Sequence, residues 1–181
     1  MLYAMSAQTN SSDKKSKKSK TIGQVFTPQY IVEEMLDYSE YYGPSIIEKH
    51  IIDNSCGDGA FLKVVVARYC EESIKLGRNK EQIKQDLEHY IHGIDTDSVA
   101  YQQCLENLSH VASGFGIEHV KWDLYNQSSL SMKKFNGKMD FVVGNPPYVR
   151  VHNLDASYDE VKQYKFANGG MTDLYLAFFE L

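Results

Sequence analysis

The sequence lacks most of the features that mark secreted, membrane-spanning or metal-binding proteins. Its 181 residues contain three cysteines, Cys56, Cys70 and Cys104, whose spacing matches neither a disulfide framework nor a metal site. No apolar run approaches the roughly 20 residues that cross a bilayer. Residues 1–5 lead into polar sequence instead of the apolar core of a signal peptide. These absences predict a reduced, cytoplasmic protein that binds no metal and no membrane.

Positive charge is scarce outside one short segment. Residues 1–20 carry five lysines against one acid, which predicts a disordered Lys-rich tail. When this tail is set aside, 14 of the 19 basic residues and 23 of the 24 acids remain, so the net charge of residues 21–181 is −9. Charge alone therefore does not mark this part as a nucleic-acid binder. The tail would add only non-specific attraction to phosphate.

Residues 21–181 are long enough for one domain with a sizeable core. Short apolar runs alternate with segments of helical periodicity, which predicts an α/β fold with a parallel sheet. The pattern predicts strands at Ile51–Asp53, Tyr90–Ile94, Ile117–Lys121 and Met139–Val143. It predicts helices over 28–38, with Thr27 as the cap and Pro28 as the first helical residue, over 61–76 and 80–88, and after a cap at Asp97.

Polar side chains follow each of these strands. Asp53, Asp95, Asp123 and Asn145 stand at or just after the four carboxyl ends, where open α/β sheets bind their ligands. The first strand leads into a loop with two glycines, which let a ligand approach the backbone closely. A third glycine is absent, and so is a lysine followed by Ser or Thr, so the loop is not predicted to bind a pyrophosphate.

The last of these strand ends carries the sequence Asn145-Pro146-Pro147-Tyr148. Two consecutive prolines fix two φ angles and stiffen the loop. The side-chain oxygen of Asn145 and the carbonyl of Pro146 are two acceptors beside the flat ring of Tyr148. This arrangement is suited to a planar group that carries an amine. A purely structural turn is the alternative interpretation.

Together these motifs resemble the S-adenosylmethionine-dependent methyltransferases, and within them the N6-adenine DNA methyltransferases of restriction-modification systems. The resemblance implies a Rossmann-like fold with S-adenosyl-L-methionine as the cofactor and double-stranded DNA as the substrate. It also implies restriction-modification subunits as partners. The motifs that carry it are GQVFTP at 23–28, DNSCGDGAFL at 53–62, GIDTD at 93–97, WDL at 122–124 and NPPY at 145–148.

The resemblance implies a role for each cofactor-binding position. Thr27 would hold the methionine carboxylate. Asp53 would lie near the ammonium group, at the amino-acid end of the cofactor, where the loop would also face it. The loop positions that match the family pattern are Cys56, Gly57 and Gly59.

The resemblance also implies roles at the remaining strand ends. Asp95 would bind the ribose hydroxyls, Asp123 would accept from the cofactor's adenine amine, and Leu124 would pack on that ring. Asn145 would lie beside the cofactor and, with Pro146, Pro147 and Tyr148, would form the catalytic loop that holds a flipped-out target adenine. An RNA adenine or a protein glutamine is an alternative substrate, since Asn-Pro-Pro-Tyr also occurs in those methyltransferases.

Only four strands are evident, which is fewer than the family has, so the resemblance predicts an incomplete fold over 21–181 without a DNA-recognition domain. A chain that binds the cofactor without catalysis is therefore a further alternative. The strand at 139–143 would become an exposed edge that favours self-association, beside an uncovered helix at 174–179. Residues 149–170 are predicted to cover the site and to be poorly ordered without DNA.

Overall fold

The computed structural model of the protein describes residues 27–147 and residue 178. Predictions on the tail at 1–20, on Tyr148, on residues 149–170 and on the helix at 174–179 concern residues outside this part, apart from residue 178. Helices and strands alternate along the described chain, in the order α1 (Gln29–Tyr38), a 3-10 turn (Pro44–Ile46), β1 (Ile51–Asp53), α2 (Ala60–Lys75), α3 (Lys80–Tyr90), β2 (Ile91–Asp95), α4 (Ser98–Gly114), β3 (Asp123–Asn126) and β4 (Phe141–Val143).

The four strands form one parallel sheet in the order β3-β2-β1-β4. Ile51 in β1 is in register with Ile91 on one side and with Phe141 on the other. At the far end of the sheet, Asp95 in β2 is in register with Asn126 in β3. The predicted α/β fold with a parallel sheet is confirmed, and all four strands present their carboxyl ends at one edge.

The start of α4 follows the sequence prediction, whereas the start of α1 does not. The side chain of Asp97 caps α4 by accepting from the N–H groups of Val99 and Ala100, at 2.9 and 3.3 Å. The prediction that Thr27 caps α1 is wrong. Pro28 is the cap residue, the helix begins one residue later, and no side chain caps it. The Thr27 hydroxyl is therefore not used by the helix.

The predicted strand at Ile117–Lys121 is also wrong. Ile117 completes the end of α4 through its N–H, which donates to the carbonyl of Ala112 at 3.1 Å. His119 has a φ of 57°, which extended backbone does not tolerate. The third strand begins two residues after the predicted one ends, so Asp123 is its first residue and not its last.

The two faces of the sheet are covered unequally. Ile51, Ile91 and Leu124 point to the face packed by the helices and join the large core cluster. Ile52 and Ile94 point to the other face, where Phe135 from the segment before β4 covers them. On that second face Val142 of β4 remains 61% exposed. Within the described residues, β4 is thus an outer strand with an exposed apolar side chain. Among the helices of the same residues, none is long and apolar enough to span a membrane.

Two histidines and an aspartate form a hydrogen-bonded chain on the second face, toward the amino ends of the strands. Nδ1 of His50 lies 2.9 Å from Nε2 of His92, whose Nδ1 lies 2.7 Å from Oδ2 of Asp123. Burial, with a contribution from His89, lowers the pKa of His50. Burial also lowers the pKa of His92, although the hydrogen bond to Asp123 opposes the shift. The folded protein therefore resists protonation of both rings.

This resistance predicts an acid-sensitive fold. A histidine whose pKa is lowered by folding takes up a proton more readily in the unfolded chain, so stability falls as pH drops below about 6.5. We expect His92→Gln to reduce the slope of unfolding free energy between pH 8 and 5.5, by at most about 1.4 kcal/mol per pH unit for one proton. Urea titrations at several pH values measure the slope, with the exposed His110→Gln as control. Equal slopes for wild type and His92→Gln would contradict the prediction.

Candidate active site

The carboxyl ends of β1, β2 and β4 bring together residues that are far apart in the sequence. Asp53 ends β1, Asp95 ends β2, and Asn145 follows β4 by two residues. The loop at 54–59 lies between the first two, and Thr27, just before α1, contacts the third. Thus one edge of the sheet carries two carboxylates, one amide, one hydroxyl and a glycine loop.

The glycine loop is held from both sides. The N–H of Gly57 donates to Oδ2 of Asp95 at 2.7 Å. On the other side, Nδ2 of Asn107 in α4 donates to the carbonyl of Asp58 at 2.8 Å. Gly59 has a φ of 87°, and a Cβ there would lie 2.8 Å from the Cys104 sulfur, so both conformation and space require glycine. The loop backbone is therefore preorganised and open to close approach.

Asp53 is a buried acid, 1% exposed, at the centre of this edge. Among the described residues its carboxylate accepts one hydrogen bond, from the N–H of Ser55 at 3.0 Å. Burial raises the pKa of Asp53 to about 7; the Ser55 N–H opposes this shift, and the nearby Asp95 adds to it. A buried carboxylate with so few donors is stabilised by a cation.

Gly144 sets the position of the predicted catalytic loop relative to Asp53. Its φ is 142°, and a Cβ built on it would lie 2.5 Å from Oδ1 of Asp53. Only glycine lets β4 pass so close to the carboxylate. Gly144, the residue before Asn145, therefore lies directly beside Asp53.

Asp95 uses both carboxylate oxygens within the protein. Oδ2 accepts from Gly57, and Oδ1 accepts from the N–H of Asp97 at 2.8 Å. Burial raises the pKa of Asp95, whereas these two N–H groups oppose the rise. The side chain is half-buried, and each oxygen can accept one further hydrogen bond.

The structure describes the predicted catalytic loop up to Pro147. Asn145, Pro146 and Pro147 are all half-buried. Nδ2 of Asn145 lies 3.3 Å from Oγ1 of Thr27, across 118 positions of sequence. Tyr148 lies outside the described residues, so its predicted stacking role stays a prediction.

The structure does not bring Asp123 to this edge. Asp123 is in register with His92, three residues before the carboxyl end of β3, or about 10 Å at the rise of a strand. Its carboxylate accepts from the Tyr125 hydroxyl at 2.6 Å and pairs with Lys134 at 3.1 Å on the second face. The predicted position of Asp123 is wrong, and its carboxylate already has partners.

Two further predicted residues lie beneath the edge. Leu124 is 6% exposed and packs in the core opposite Gly93, where a Cβ would lie 2.7 Å from it. Cys56 is 3% exposed; its N–H donates to the carbonyl of Ile94 at 3.0 Å, while its sulfur points into the core. A hydrogen bond with Cys104, together with burial, raises the pKa of the Cys56 thiol. The side chains of Leu124 and Cys56 thus belong to the core that packs under the glycine loop.

Sequence reasoning missed Asn107 and Asn126. Asn126 ends β3, at the position predicted for Asp123, and its Nδ2 donates to the carbonyl of Asp95 at 2.9 Å. Its Oδ1 remains an acceptor at the edge. A shift of the third strand by a few residues would have identified Asn126, whereas nothing in the local sequence distinguishes Asn107 from an ordinary helix residue.

Comparison with known proteins gives consistent results. The family model for "N-6 DNA Methylase" matches residues 12–178. The chain is 33% identical over 155 residues to "Type II methyltransferase M.BstVI" of Geobacillus stearothermophilus, covering 79% of this chain and 27% of that protein. It therefore spans about a quarter of the length of that relative.

Solved structures show the same fold. A putative class I S-adenosylmethionine-dependent methyltransferase from Listeria monocytogenes matches with a TM-score of 0.58 at 18% identity, covering 88% of this chain and 42% of that one. The DrdV–DNA complex matches with a TM-score of 0.64 at 16% identity, covering 91% of this chain and 19% of that one. The Rossmann-like methyltransferase fold expected from the sequence is confirmed.

Proposed function

We propose a function for this chain, which belongs to the N-6 DNA methylase family: it transfers a methyl group from S-adenosyl-L-methionine to the N6 amine of adenine in DNA. The observation that carries the proposal is the position of Asn145. It follows Gly144, which lies against the buried Asp53, and its side chain contacts Thr27, at the edge where the glycine loop and Asp95 converge. An acceptor for a substrate amine thus adjoins a pocket suited to a cationic cofactor.

The residues at the edge fit the amino-acid end of S-adenosylmethionine. Asp53 is buried and has a single N–H donor among the residues that the structure describes, so an ammonium group would supply a further partner for its carboxylate. The backbone at Gly57 and Gly59 permits close approach of the same part of the cofactor. Asp95 ends β2 at this edge and is half-buried, and each of its oxygens, which accepts one backbone N–H, can accept a second donor, so it is the acceptor for ribose hydroxyls.

For the cofactor's adenine amine we propose Asn126 in place of Asp123. Asn126 is the residue that ends β3, in register with Asp95. Its amide donor is engaged by the Asp95 carbonyl, which leaves Oδ1 as the acceptor. Asp123 is engaged by Tyr125 and Lys134 on the second face instead.

When bound, the cofactor supplies an electrophilic methyl group that the adenine nitrogen takes with its lone pair, while the S–C bonding electrons return to sulfur and the nitrogen loses a proton to water. The residues of the chain contribute position and electrostatics. Oδ1 of Asn145 and the carbonyl of Pro146 accept the two amine hydrogens and aim the lone pair. Pro146 and Pro147 keep this geometry rigid.

The substrate in this proposal is an adenine in double-stranded DNA, turned out of the base stack at a cost of a few kcal/mol. Stacking on Tyr148 would return about 1–3 kcal/mol. The DrdV structure is a complex with DNA, which supports the same substrate here. The same proposal includes restriction-modification subunits as partners and self-association through β4. It also includes a cytoplasmic location.

The cofactor assignment predicts an order of affinities. Binding of S-adenosylhomocysteine should weaken by about 10- to 100-fold in Asp95→Ala, since two charged hydrogen bonds are lost. Asn126→Ala should weaken it by about 10-fold, and Asp123→Asn should leave it unchanged within about threefold. Isothermal titration calorimetry measures all three.

The matched control is Asp97→Asn, which keeps a helix cap and lies two residues from Asp95. It should bind as the wild type does. Loss of affinity in Asp123→Asn without loss in Asn126→Ala would restore the original assignment. Unchanged affinity in Asp95→Ala would refute the ribose role.

A further inference from the structure

The contact between Thr27 and Asn145 joins the start of α1 to the catalytic loop. Nδ2 of Asn145 lies 3.3 Å from Oγ1 of Thr27, with both side chains half-buried. The Thr27 hydroxyl does not cap α1, so its lone pairs are available for this bond. We propose that Thr27 is a positioning residue that fixes the place of the Asn145 side chain, from which Oδ1 can accept from the substrate amine.

The orientation of this amide decides whether it can act. An asparagine side chain carries two donors on nitrogen and an acceptor on oxygen. In the observed orientation the nitrogen is engaged by Thr27 and the oxygen is left for the amine. In the flipped orientation the NH2 group would meet the amine hydrogens, and donor would face donor. Because a threonine hydroxyl can both accept and donate, the contact fixes the place of the amide and leaves the choice between the two orientations to the substrate amine.

The position of Thr27 is itself rigid. Pro28 follows it and anchors α1 through its carbonyl, which accepts from Ile31 and Val32 at 3.0 and 3.2 Å. Arg68 of α2 also fixes α1. It pairs with Asp37 at 2.8 Å and donates to the carbonyls of Glu33 and Tyr41. A fixed hydroxyl opposite Asn145 is what holds the amide in one place.

This inference rests on the proposed function and differs from the expectation that Thr27 holds the cofactor's methionine carboxylate. The two roles predict opposite kinetic results. A positioning residue for Asn145 affects the chemical step, so kcat falls. A ligand of the carboxylate affects binding, so KM for the cofactor rises.

The test compares Thr27→Val, which is isosteric and lacks the acceptor, with Thr27→Ser, which keeps it. In the protein that contains this chain, Thr27→Val should lower kcat for methyl transfer by about 10- to 100-fold, with KM for S-adenosylmethionine within about twofold of wild type. Thr27→Ser should retain most of the activity. A raised KM with unchanged kcat in Thr27→Val would overturn the inference.

A second measurement does not need activity. In ¹⁵N-labelled protein the side-chain amide signals of Asn145 are assigned by their loss in Asn145→Asp. Thr27→Val should shift these signals and speed their exchange with solvent, whereas Thr27→Ser should leave them near their original positions. Unmoved signals in Thr27→Val would refute the contact, whether or not the wild type methylates DNA. An inactive wild type with shifted signals would count against the proposed function alone.

Discussion

Asn145→Ala is expected to lower the rate of methyl transfer by about 100- to 1,000-fold, the range for loss of one preorganised group at a reacting centre. The exocyclic amine of adenine is a weak nucleophile, because its lone pair is delocalised into the ring. The acceptor of Asn145, which contacts Thr27 and follows the glycine that lies against Asp53, would hold that amine in line for transfer. Affinity for the cofactor should change by no more than about threefold.

Single-turnover transfer of tritium from labelled S-adenosylmethionine to DNA measures the rate, and calorimetry measures affinity. Asn136→Ala is the matched control, since Asn136 is exposed in the segment before β4. It should behave as the wild type. If Asn145→Ala loses affinity and rate in parallel, the residue shapes the fold of the site and does not act on the substrate.

Asp53→Asn is expected to stabilise the cofactor-free protein at pH 8 by about 2–4 kcal/mol and to abolish cofactor binding. Burial raises the pKa of Asp53 to about 7, so ionisation at pH 8 opposes folding. The direction follows from linkage, because the pKa of Asp53 is about 7 in the folded protein and near 4 in the unfolded chain. The contribution of Asp53 to the stability of the fold is fully present below about pH 4 and is lost as pH rises through about 7. Asparagine removes the charge and keeps an acceptor for Ser55.

Urea denaturation at pH 8 and pH 5 gives the stability of this variant. The gain should be large at pH 8 and small at pH 5, where the wild-type carboxyl is already protonated. Asp97→Asn, which leaves a capped helix, should show no such dependence. If Asp53→Asn is less stable than the wild type at pH 8, the ionised carboxylate does not destabilise the cofactor-free fold. The argument that Asp53 needs a cationic partner would then fail.

The sequence identified the parts of this site whose signals are local. β1 and the glycine loop follow directly from Ile51–Asp53 and the residues after it, and the cap of α4 follows from Asp97. The parallel sheet also follows, because short apolar runs alternate with helical patterns. These features depend on residues that are close together in the chain.

The errors concern features that are set at a distance. The start of β3 depends on its pairing with β2, and Ile117 and Val120 gave an apolar pattern that packs on the core without forming a strand. Because of this error in the third strand, Asp123 was predicted at its carboxyl end and Asn126 was not recognised as a site residue. The residues Thr27 and Asn145 were both found by motif, yet the hydrogen bond between them depends on how α1 and β4 meet.

The most direct test of the account is the product formed by the protein that contains this chain. Double-stranded DNA is incubated with methyl-labelled S-adenosylmethionine, and the nucleosides are separated and identified by mass spectrometry. The account predicts label in N6-methyladenine from double-stranded DNA, absent with Asn145→Ala. Label in RNA adenine or in a protein glutamine instead, or cofactor binding with no transfer to any of the three, would contradict it.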